Sequence, residues 1–318
     1  MRKTLRFVCC LLSVVCCPQL MAQVSVTGSV QSDMMVAPLQ DDRIGTSEYD
    51  NKYFLTNTYV DVLLQSKSVD AGGRFELTQW PMPGFATSPN EDFKGWGVPN
   101  LWVKGRLKRV ELTMGSFYEQ FGSGFILRTY EERTLGVDNS LTGGRAIITP
   151  VNGLQIKALS GVQRNYWEHN SSIVSGADVE MSLDQWIKPL QKKGMHLLVG
   201  GSWVNKWENY KEKLYSSDPG YSLNVPEFVN AFDARVNFRK GGFNILGEYA
   251  QKSQDPNSLN GNIYRTGRAA MLSATYSKKG LSVLLQTKRS DNMAFRSKRN
   301  ETHSTTSFIN HQPAFTVD

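Results

Sequence analysis

Polar and apolar residues alternate with a period of two along most of the chain. Phe232, Ala234 and Val236 alternate with Asp233 and Arg235, and similar runs recur elsewhere. Because successive side chains of a β-strand point to opposite faces, this period predicts strands with one apolar and one polar face. Thirteen such strands are predicted, near residues 24–31, 55–66, 73–80, 100–106, 109–117, 144–149, 154–164, 176–188, 195–207, 232–238, 243–250, 268–277 and 281–286, with a weaker fourteenth at 302–310.

The connections between these strands are short and long in turn. The short ones fall at 67–73, 106–109, 150–153, 190–194, 239–242 and 277–280, and the long ones at 37–54, 81–99, 118–143, 165–175, 208–227 and 252–267. A meander with all tight turns at one end and all loops at the other gives this order, and transmembrane β-barrels have that layout. The sequence therefore predicts an all-β, up-and-down antiparallel transmembrane β-barrel of about 13–14 strands. A secreted sandwich or propeller is the alternative, and its outward faces should be polar.

The first 22 residues have the features of a secretory signal peptide. Arg2, Lys3 and Arg6 precede an apolar stretch, and cleavage is expected before Gln23. All four cysteines lie within the first 17 positions, so the predicted single domain, 23–318, contains none. This excludes a disulfide framework, a cysteine-ligated metal and a thiol nucleophile. Cleavage removes three basic residues and no acids, so the net charge falls from +7 to +4, which argues against a nucleic-acid partner.

If the apolar faces contact lipid, the polar faces line the interior of the barrel. Both signs of charge occur there, and such charges either pair across the interior and make it rigid or orient a polar solute. The candidate interior and constriction residues are Arg74, Glu76, Glu119, Arg128, Glu131, Arg133, Arg145, Asp233, Arg235 and Glu248.

The longest internal connection, 118–143, contains several of these residues. It begins Tyr118-Glu-Gln-Phe-Gly-Ser-Gly124, and its aromatic residues and glycines argue against disorder. One interpretation is that this loop folds into the interior and narrows it. The other is a packed loop held by its own salt bridges.

Little in the sequence indicates an enzyme. The four histidines, His169, His196, His303 and His311, form no HExxH spacing and lie beside no nucleophile motif. Glu131 and Glu132 are adjacent, so on an extended segment they point apart and do not suit a glycosidase pair. We therefore expect no catalytic residue, no cofactor and no metal site.

The stretch Gly115-Ser-Phe-Tyr-Glu-Gln-Phe-Gly-Ser-Gly124 and its continuation through Leu141 resemble an uncharacterised family of Gram-negative outer-membrane β-barrel proteins. The opening strands and the 57–85 hairpin look similar too, so the resemblance covers most of the mature chain. It implies an outer-membrane barrel and brings no activity or site residue with it. Members of that family are longer than this chain, which ends at Asp318, so the resemblance also implies that C-terminal strands are missing. Missing strands would affect the closure of the barrel, since single-chain bacterial barrels have an even number of strands.

Two functions follow from this fold. The first is a porin-like channel or transport component for small polar solutes. The second is a non-conducting barrel whose outer loops, 81–99, 118–143 and 208–227, bind a partner protein or a surface glycan. Both place the protein in the cell outer membrane, reached through the inner membrane by the cleaved signal peptide, with outer-membrane lipid as a partner.

Overall fold

The described part of the chain consists mainly of β-strands. A computed structural model describes residues 24–36, 54–80, 82, 94–210, 222–299 and 307–313. The described strands are β1 (Ser25–Val36), β2 (Phe54–Gln65), β3 (Val69–Thr78), β4 (Gly95–Leu107), β5 (Val110–Phe117), β6 (Gln120–Phe121), β7 (Leu127–Arg128), β8 (Glu131–Glu132), β9 (Val137–Asp138), β10 (Leu141–Ile148), β11 (Leu154–Asn165), β12 (Glu168–Ser182), β13 (Met195–Trp207), β14 (Phe228–Lys240), β15 (Phe243–Lys252), β16 (Gly267–Lys278) and β17 (Leu281–Asp291).

Thirteen of these strands form one antiparallel sheet, in the order β1-β2-β3-β4-β5-β10-β11-β12-β13-β14-β15-β16-β17. The two-residue strands β6 to β9 pair only among themselves, in the connection between β5 and β10. Every main strand pairs with its neighbours along the chain, which confirms the predicted up-and-down meander. Among the described strands β1 and β17 are the two edges of the sheet, and no pairing joins them.

In the described residues, helical structure is limited to short turns. Single 3-10 turns occupy Arg133–Leu135, Leu183–Gln185 and Ser258–Asn260, and helix α1 spans Lys188–Lys192. None of the helices in the described ranges is long and apolar enough to span a membrane. The predicted strand at 176–188 is therefore wrong at its C-terminal end, because the backbone leaves the sheet after Ser182 and continues into the 3-10 turn and α1.

The two faces of the sheet differ in the way the alternation predicts. One face, the outer face, exposes large apolar side chains, and the opposite, inner face buries charged residues such as Asp178, Asp233 and Arg235. The exposed apolar residues include Val62, Phe75, Leu77, Leu112, Met114, Phe232, Val236, Ile245, Leu272, Val283 and Leu285. This distribution is the reverse of a water-soluble sheet and matches a wall with lipid outside and a polar interior. The sandwich alternative does not fit, because it needs a second sheet on the apolar face.

The strand connections define a turn end and a loop end of the sheet. The predicted connection at 165–175 is wrong: Tyr166-Trp167 alone joins β11 to β12 at the loop end, and β12 begins at Glu168. The run His169-Asn-Ser-Ser172 has the composition of a loop, but tertiary contacts hold it in the strand. Asn170 and Ser172 are buried on the inner face, where both side chains donate hydrogen bonds to Ser297.

Two segments cover the loop-end half of the inner face and form the core with it. The inner loop is residues 118–140, and the C-terminal segment is residues 292–299 and 307–313. The buried apolar cluster between them and the sheet contains Phe121, Phe125, Ile126, Leu127, Leu141, Val174, Val204, Ala231, Ala250, Met293, Phe295 and Ile309.

Several predicted features lie outside the described residues or outside the sheet. Residues 1–22, the predicted signal peptide, are not among the described residues, nor are most of the connections at 37–54, 81–99 and 208–227. Of the weak fourteenth strand, only 307–310 is described, and this part does not join the sheet. It binds the inner loop instead, since the Arg128 backbone N–H donates to the Ile309 carbonyl at 2.9 Å.

Candidate functional site

The inner loop starts and ends on neighbouring strands. Phe117 of β5 is the register partner of Leu141 of β10, so residues 118–140 must fold back over one face of the sheet. Two short hairpins shape the loop, pairing Gln120 with Arg128 and Glu131 with Asp138. The prediction that the connection 118–143 folds toward the interior therefore agrees with the path of the loop. The last three residues, 141–143, belong to β10 instead.

Buried ion pairs fix the C-terminal half of the inner loop to β2, β3 and β11. Arg74 lies at the centre, 2.8 Å from Asp61 and 2.7 Å from Glu131. Arg164 donates to Glu76 at 2.7 Å and also binds Asp138 of the loop. We call this group the Arg74 cluster; its members are Asp61, Arg74, Glu76, Glu131, Arg133, Asp138 and Arg164.

The Arg74 cluster is nearly balanced in charge, with three guanidinium groups and four carboxylates. Arg133 completes it by bridging Glu131 at 2.7 Å and Asp61 at 2.9 Å. Buried charges persist only when they are paired and hydrogen-bonded, and here each guanidinium contacts at least two carboxylates. Burial, and then the charges of Asp138 and Glu131, raise the pKa of the neighbouring Tyr118 well above its ordinary value, so its phenol stays neutral.

Glu119, at the start of the inner loop, is held by strands of the same region. Its carboxylate contacts Arg145 of β10 at 3.2 Å and Lys157 of β11 at 2.9 Å. Arg145 also contacts Glu111 of β5 at 3.0 Å. The loop is therefore held by ion pairs to the sheet rather than mainly by salt bridges of its own.

The tip of the inner loop crosses to the opposite part of the sheet. The Ser123 backbone N–H donates to both carboxylate oxygens of Glu248 on β15, at 2.9 and 3.0 Å, and its hydroxyl donates there as well. Gly122 allows this approach: its φ is +52°, and a Cβ at this position would lie 2.6 Å from Glu248 Oε1. A side chain at this position would force either the Glu248 carboxylate or the loop tip to shift.

Glu248 belongs to a second group of charges, the Arg235 cluster. The Arg235 guanidinium binds Asp178, contacts Glu180 at 2.7 Å and contacts Asp233 at 2.9 Å. Glu248 is the register partner of Arg235 on the neighbouring strand. The members are Asp178, Glu180, Asp233, Arg235 and Glu248, four carboxyl groups around one guanidinium.

A polar cavity of about 510 Å³ lies on the turn-end side of the loop tip. Ser123, Glu180, Arg235 and Glu248 line it beside the loop tip, and residues of β13 to β15 and the 3-10 turn complete its wall. Near the turn end the exposed His196 imidazole lies 3.2 Å from Asp184. Burial raises the pKa of Asp184, but hydrogen bonds from the Leu197 N–H and His196 outweigh it and hold the pKa below its ordinary value.

Arg128 is placed differently from the other predicted residues. Its guanidinium carbon lies 5.2 Å from the centre of the Tyr130 ring, and its backbone contacts the C-terminal segment. The remaining nine predicted residues are divided among the Arg74 cluster, the Glu119 contacts and the Arg235 cluster. Their role at a constriction stays a prediction.

A third buried group anchors the C-terminal segment. The Arg299 side chain is fully buried and contacts Asp255 at 3.2 Å and Glu208 at 3.4 Å, and Lys206 contacts Asp255 at 3.3 Å. Burial alone would raise the pKa of Asp255, but the charges of Lys206, Lys252 and Arg299 hold it below its ordinary value. Asp255 therefore remains ionised and binds the segment to β13 and β15.

Several of these residues were not predicted from the sequence. Asp178 and Arg164 bind the predicted residues directly, and Lys206 and Asp255 hold the C-terminal segment. Every second residue of β13 faces the interior, so continuing this pattern from Ser202 through Val204 would have identified Lys206. No local pattern identifies Arg164, because the register of β11 shifts between Val162 and Arg164 and turns its side chain to the inner face. Over the described ranges, no three His, Cys, Asp or Glu side chains are grouped to hold a metal ion.

Comparison of folds finds similarity to porins and outer-membrane proteins of Pseudomonas. OpdK of Pseudomonas aeruginosa, solved with vanillate, is 11% identical over 85% of this chain and 82% of its own, with a TM-score of 0.38. OccK2 (OpdF) of the same organism, in complex with glucuronate, is 11% identical over 83% and 78%, with a TM-score of 0.37. A BenF-like porin from Pseudomonas fluorescens Pf-5 is 10% identical over 91% and 96%, with a TM-score of 0.33.

Sequence comparison gives the family. A search of curated proteins finds no match. The profile of a family of unknown function, DUF6029, matches residues 1–318, which is the whole chain. The chain therefore belongs to the DUF6029 family.

Proposed function

We propose that this protein is an outer-membrane transport component with a narrow polar passage for small polar solutes. The observation that carries the proposal is the contact between Ser123 and Glu248, which brings the tip of a loop from β5 to β15, six strands away in the sheet. A polar cavity lies directly beyond this contact. The exposed apolar outer face supports a membrane location.

The charges near the loop tip support a preference for cations. The Arg235 cluster has four carboxyl groups and one guanidinium, and rings of Asp and Glu favour cations in channels. A transport role is a better match than an enzymatic one, because the buried charges of the interior mostly bind one another. Positively charged or zwitterionic small solutes are thus the expected cargo.

The test is the conductance of the refolded mature chain in planar bilayers, with a heat-modifiability gel to demonstrate a closed barrel. We expect discrete steps that are selective for cations. Because the mature chain is expected to lack cysteine, Ser123→Cys gives a single reactive thiol at the loop tip. A positively charged thiol reagent should reduce the current through this variant.

Ser282→Cys is the matched control. Ser282 is exposed near the turn end of β17, away from the loop tip, so modification there should leave the current unchanged. Equal effects at both positions would contradict a constriction at Ser123. A closed barrel that stays electrically silent would contradict the passage itself.

A second candidate function, a non-conducting barrel that binds a partner through its outer loops, is favoured by one observation. The C-terminal segment places Met293, Phe295 and Ile309 in the buried cluster with the inner loop. Asn310 locks this arrangement, since its side-chain amide donates to the carbonyls of Phe125 and Met293 at 2.7 Å each. A silent wild-type barrel that conducts after Asn310→Ala would identify the segment as a plug, whereas silence in both would favour the binding role.

A further inference from the structure

A group of arginines lies on the outer face, near the loop end of the last three strands. Arg265, Arg268, Arg289, Asp291 and Tyr249 line a shallow cavity of about 430 Å³ there, together with small residues of β16. We call these five residues the arginine patch. None of them belongs to the interior site described above.

Strand register places the patch on one surface. Tyr249 of β15 and Arg289 of β17 are both register partners of Ala270 on β16, so the three form a row across the outer face. Arg268 and Asp291 are partners in the next row toward the loop end. The arginines therefore belong to the rigid sheet, except Arg265, which lies in the connection just before β16.

The patch directly continues the exposed apolar surface. Leu272 and Leu285 are exposed on the same outer face, closer to the turn end. In a transmembrane barrel an outward Arg is destabilising at the bilayer midplane and nearly neutral near the headgroups. The two neighbouring rows that contain Arg268 and Arg289 therefore belong at the headgroup level, with Leu272 and Leu285 in the acyl region.

The charge of the patch is not balanced by the protein. Arg265 pairs with Asp291, and both side chains are exposed. Among the described residues, neither Arg268 nor Arg289 has a carboxylate partner within ion-pair distance, although both are exposed. Three guanidinium groups thus face a single carboxylate. The guanidinium fork matches phosphate oxygens bidentately, which makes phosphate the fitting counter-ion.

We propose that the arginine patch binds the phosphate group of a phosphorylated glycolipid in the outer leaflet. Charge complementarity selects the phosphate, and the adjoining Leu272 and Leu285 give the acyl chains an apolar surface, which favours a lipid over free phosphate. The loop end faces the outer leaflet because the N-terminus remains on the periplasmic side after secretion. This inference rests on the membrane location in the proposed function and not on conduction.

The experiment measures lipid A retained by the full mature protein after reconstitution in phosphatidylcholine vesicles containing lipid A and extraction in mild detergent. We expect the double variant R268Q/R289Q to retain roughly thirtyfold less lipid A than the wild type, since each arginine near an anionic surface contributes roughly five- to sixfold. The double variant K278Q/K279Q, with the same loss of charge at the turn end, should retain as much as the wild type.

The outcomes separate this inference from the proposed function. Equal retention by the wild type and R268Q/R289Q, with a heat-modifiable barrel in both, would overturn the glycolipid site. Displacement of lipid A by inorganic phosphate alone would overturn the choice of a lipid and leave an anion site. A chain that does not enter vesicles at all would overturn both the membrane location and this inference, whereas an inserted but silent barrel would affect only the passage.

Discussion

The Arg74 cluster and the Arg235 cluster contain the same residue types but differ in their roles. In the first, three guanidinium groups meet four carboxylates, and two of these carboxylates, Glu131 and Asp138, belong to the inner loop. In the second, one guanidinium contacts three carboxyl groups, Glu248 is a fourth carboxyl group beside them, and the loop contributes only the N–H and hydroxyl of Ser123. The near-balance of the first cluster fixes the loop, whereas the excess of carboxyl groups in the second leaves a negative field beside an open cavity.

The difference shows that the number of ion pairs in the interior does not decide whether a region is structural. What matters is the ratio of charges and the presence of space. In the Arg74 cluster three guanidinium groups are matched by four carboxylates, and the Arg235 cluster adjoins a cavity of about 510 Å³. Four variants test this difference between the two clusters.

The largest effect is expected for Arg164→Met. The Arg164 side chain is only 6% exposed, and its removal leaves the buried carboxylates of Glu76 and Asp138 with fewer partners. Removing one partner of a buried ion pair costs about 3–5 kcal/mol. Urea unfolding of the vesicle-inserted protein, followed by gel mobility, measures the loss. A loss below about 1 kcal/mol, the level of a surface pair, would mean that the Arg74 cluster does not hold the loop.

A smaller loss of stability is expected for Gly122→Ala. The new Cβ would lie 2.6 Å from Glu248 Oε1, and overpacking of this kind costs about 1–3 kcal/mol. Gly261→Ala is the matched control, because Gly261 also has a positive φ, +67°, but has nothing within 4 Å of the added methyl group. Both variants share the backbone cost, so the difference between their unfolding free energies isolates the contact with Glu248. Identical values would contradict the crossing of the loop tip.

Ion selectivity should change when one carboxylate of the Arg235 cluster is neutralised. A unit charge at about 4 Å contributes about 1 kcal/mol in water, so Glu248→Gln should lower the ratio of cation to anion permeability roughly fivefold. Reversal potentials across a salt gradient measure this ratio. Glu132→Gln neutralises an exposed carboxylate of the inner loop, and we expect little change. A larger change in the permeability ratio for Glu132→Gln than for Glu248→Gln would mean that the inner loop near Glu132, and not the Arg235 cluster, controls ion selectivity.

The smallest effect is expected for Arg265→Met. Its ion pair with Asp291 lies on the surface, with 56% and 39% of the two side chains exposed. Such pairs contribute about 0–1 kcal/mol. The urea unfolding midpoint should hardly move, and a shift as large as that of Arg164→Met would show that surface and interior pairs are equivalent in this protein.

Much of the fold could be predicted from the sequence because the alternation of polar and apolar residues is a local signal. The β14 run from Phe232 to Phe238 identifies both the strand and its two faces. The site was predicted only in part, since Arg235, Asp233 and Glu248 follow from the alternation but their partner Ser123 does not. Ser123 and Glu248 are 125 residues apart, so no spacing in the sequence relates them.

The thirteen strands, their meander order and the polarity of each face could be predicted because they depend on neighbouring residues and short turns. Three features depend instead on tertiary contacts: His169 to Ser172 continue β12, Arg128 lies against Tyr130, and the C-terminal segment packs beneath the loop end. The physical reason is that a buried charge is stable only beside its counter-charge. Which counter-charge it meets depends on how distant strands and loops are brought together, as with Arg164 and Glu76, 88 residues apart.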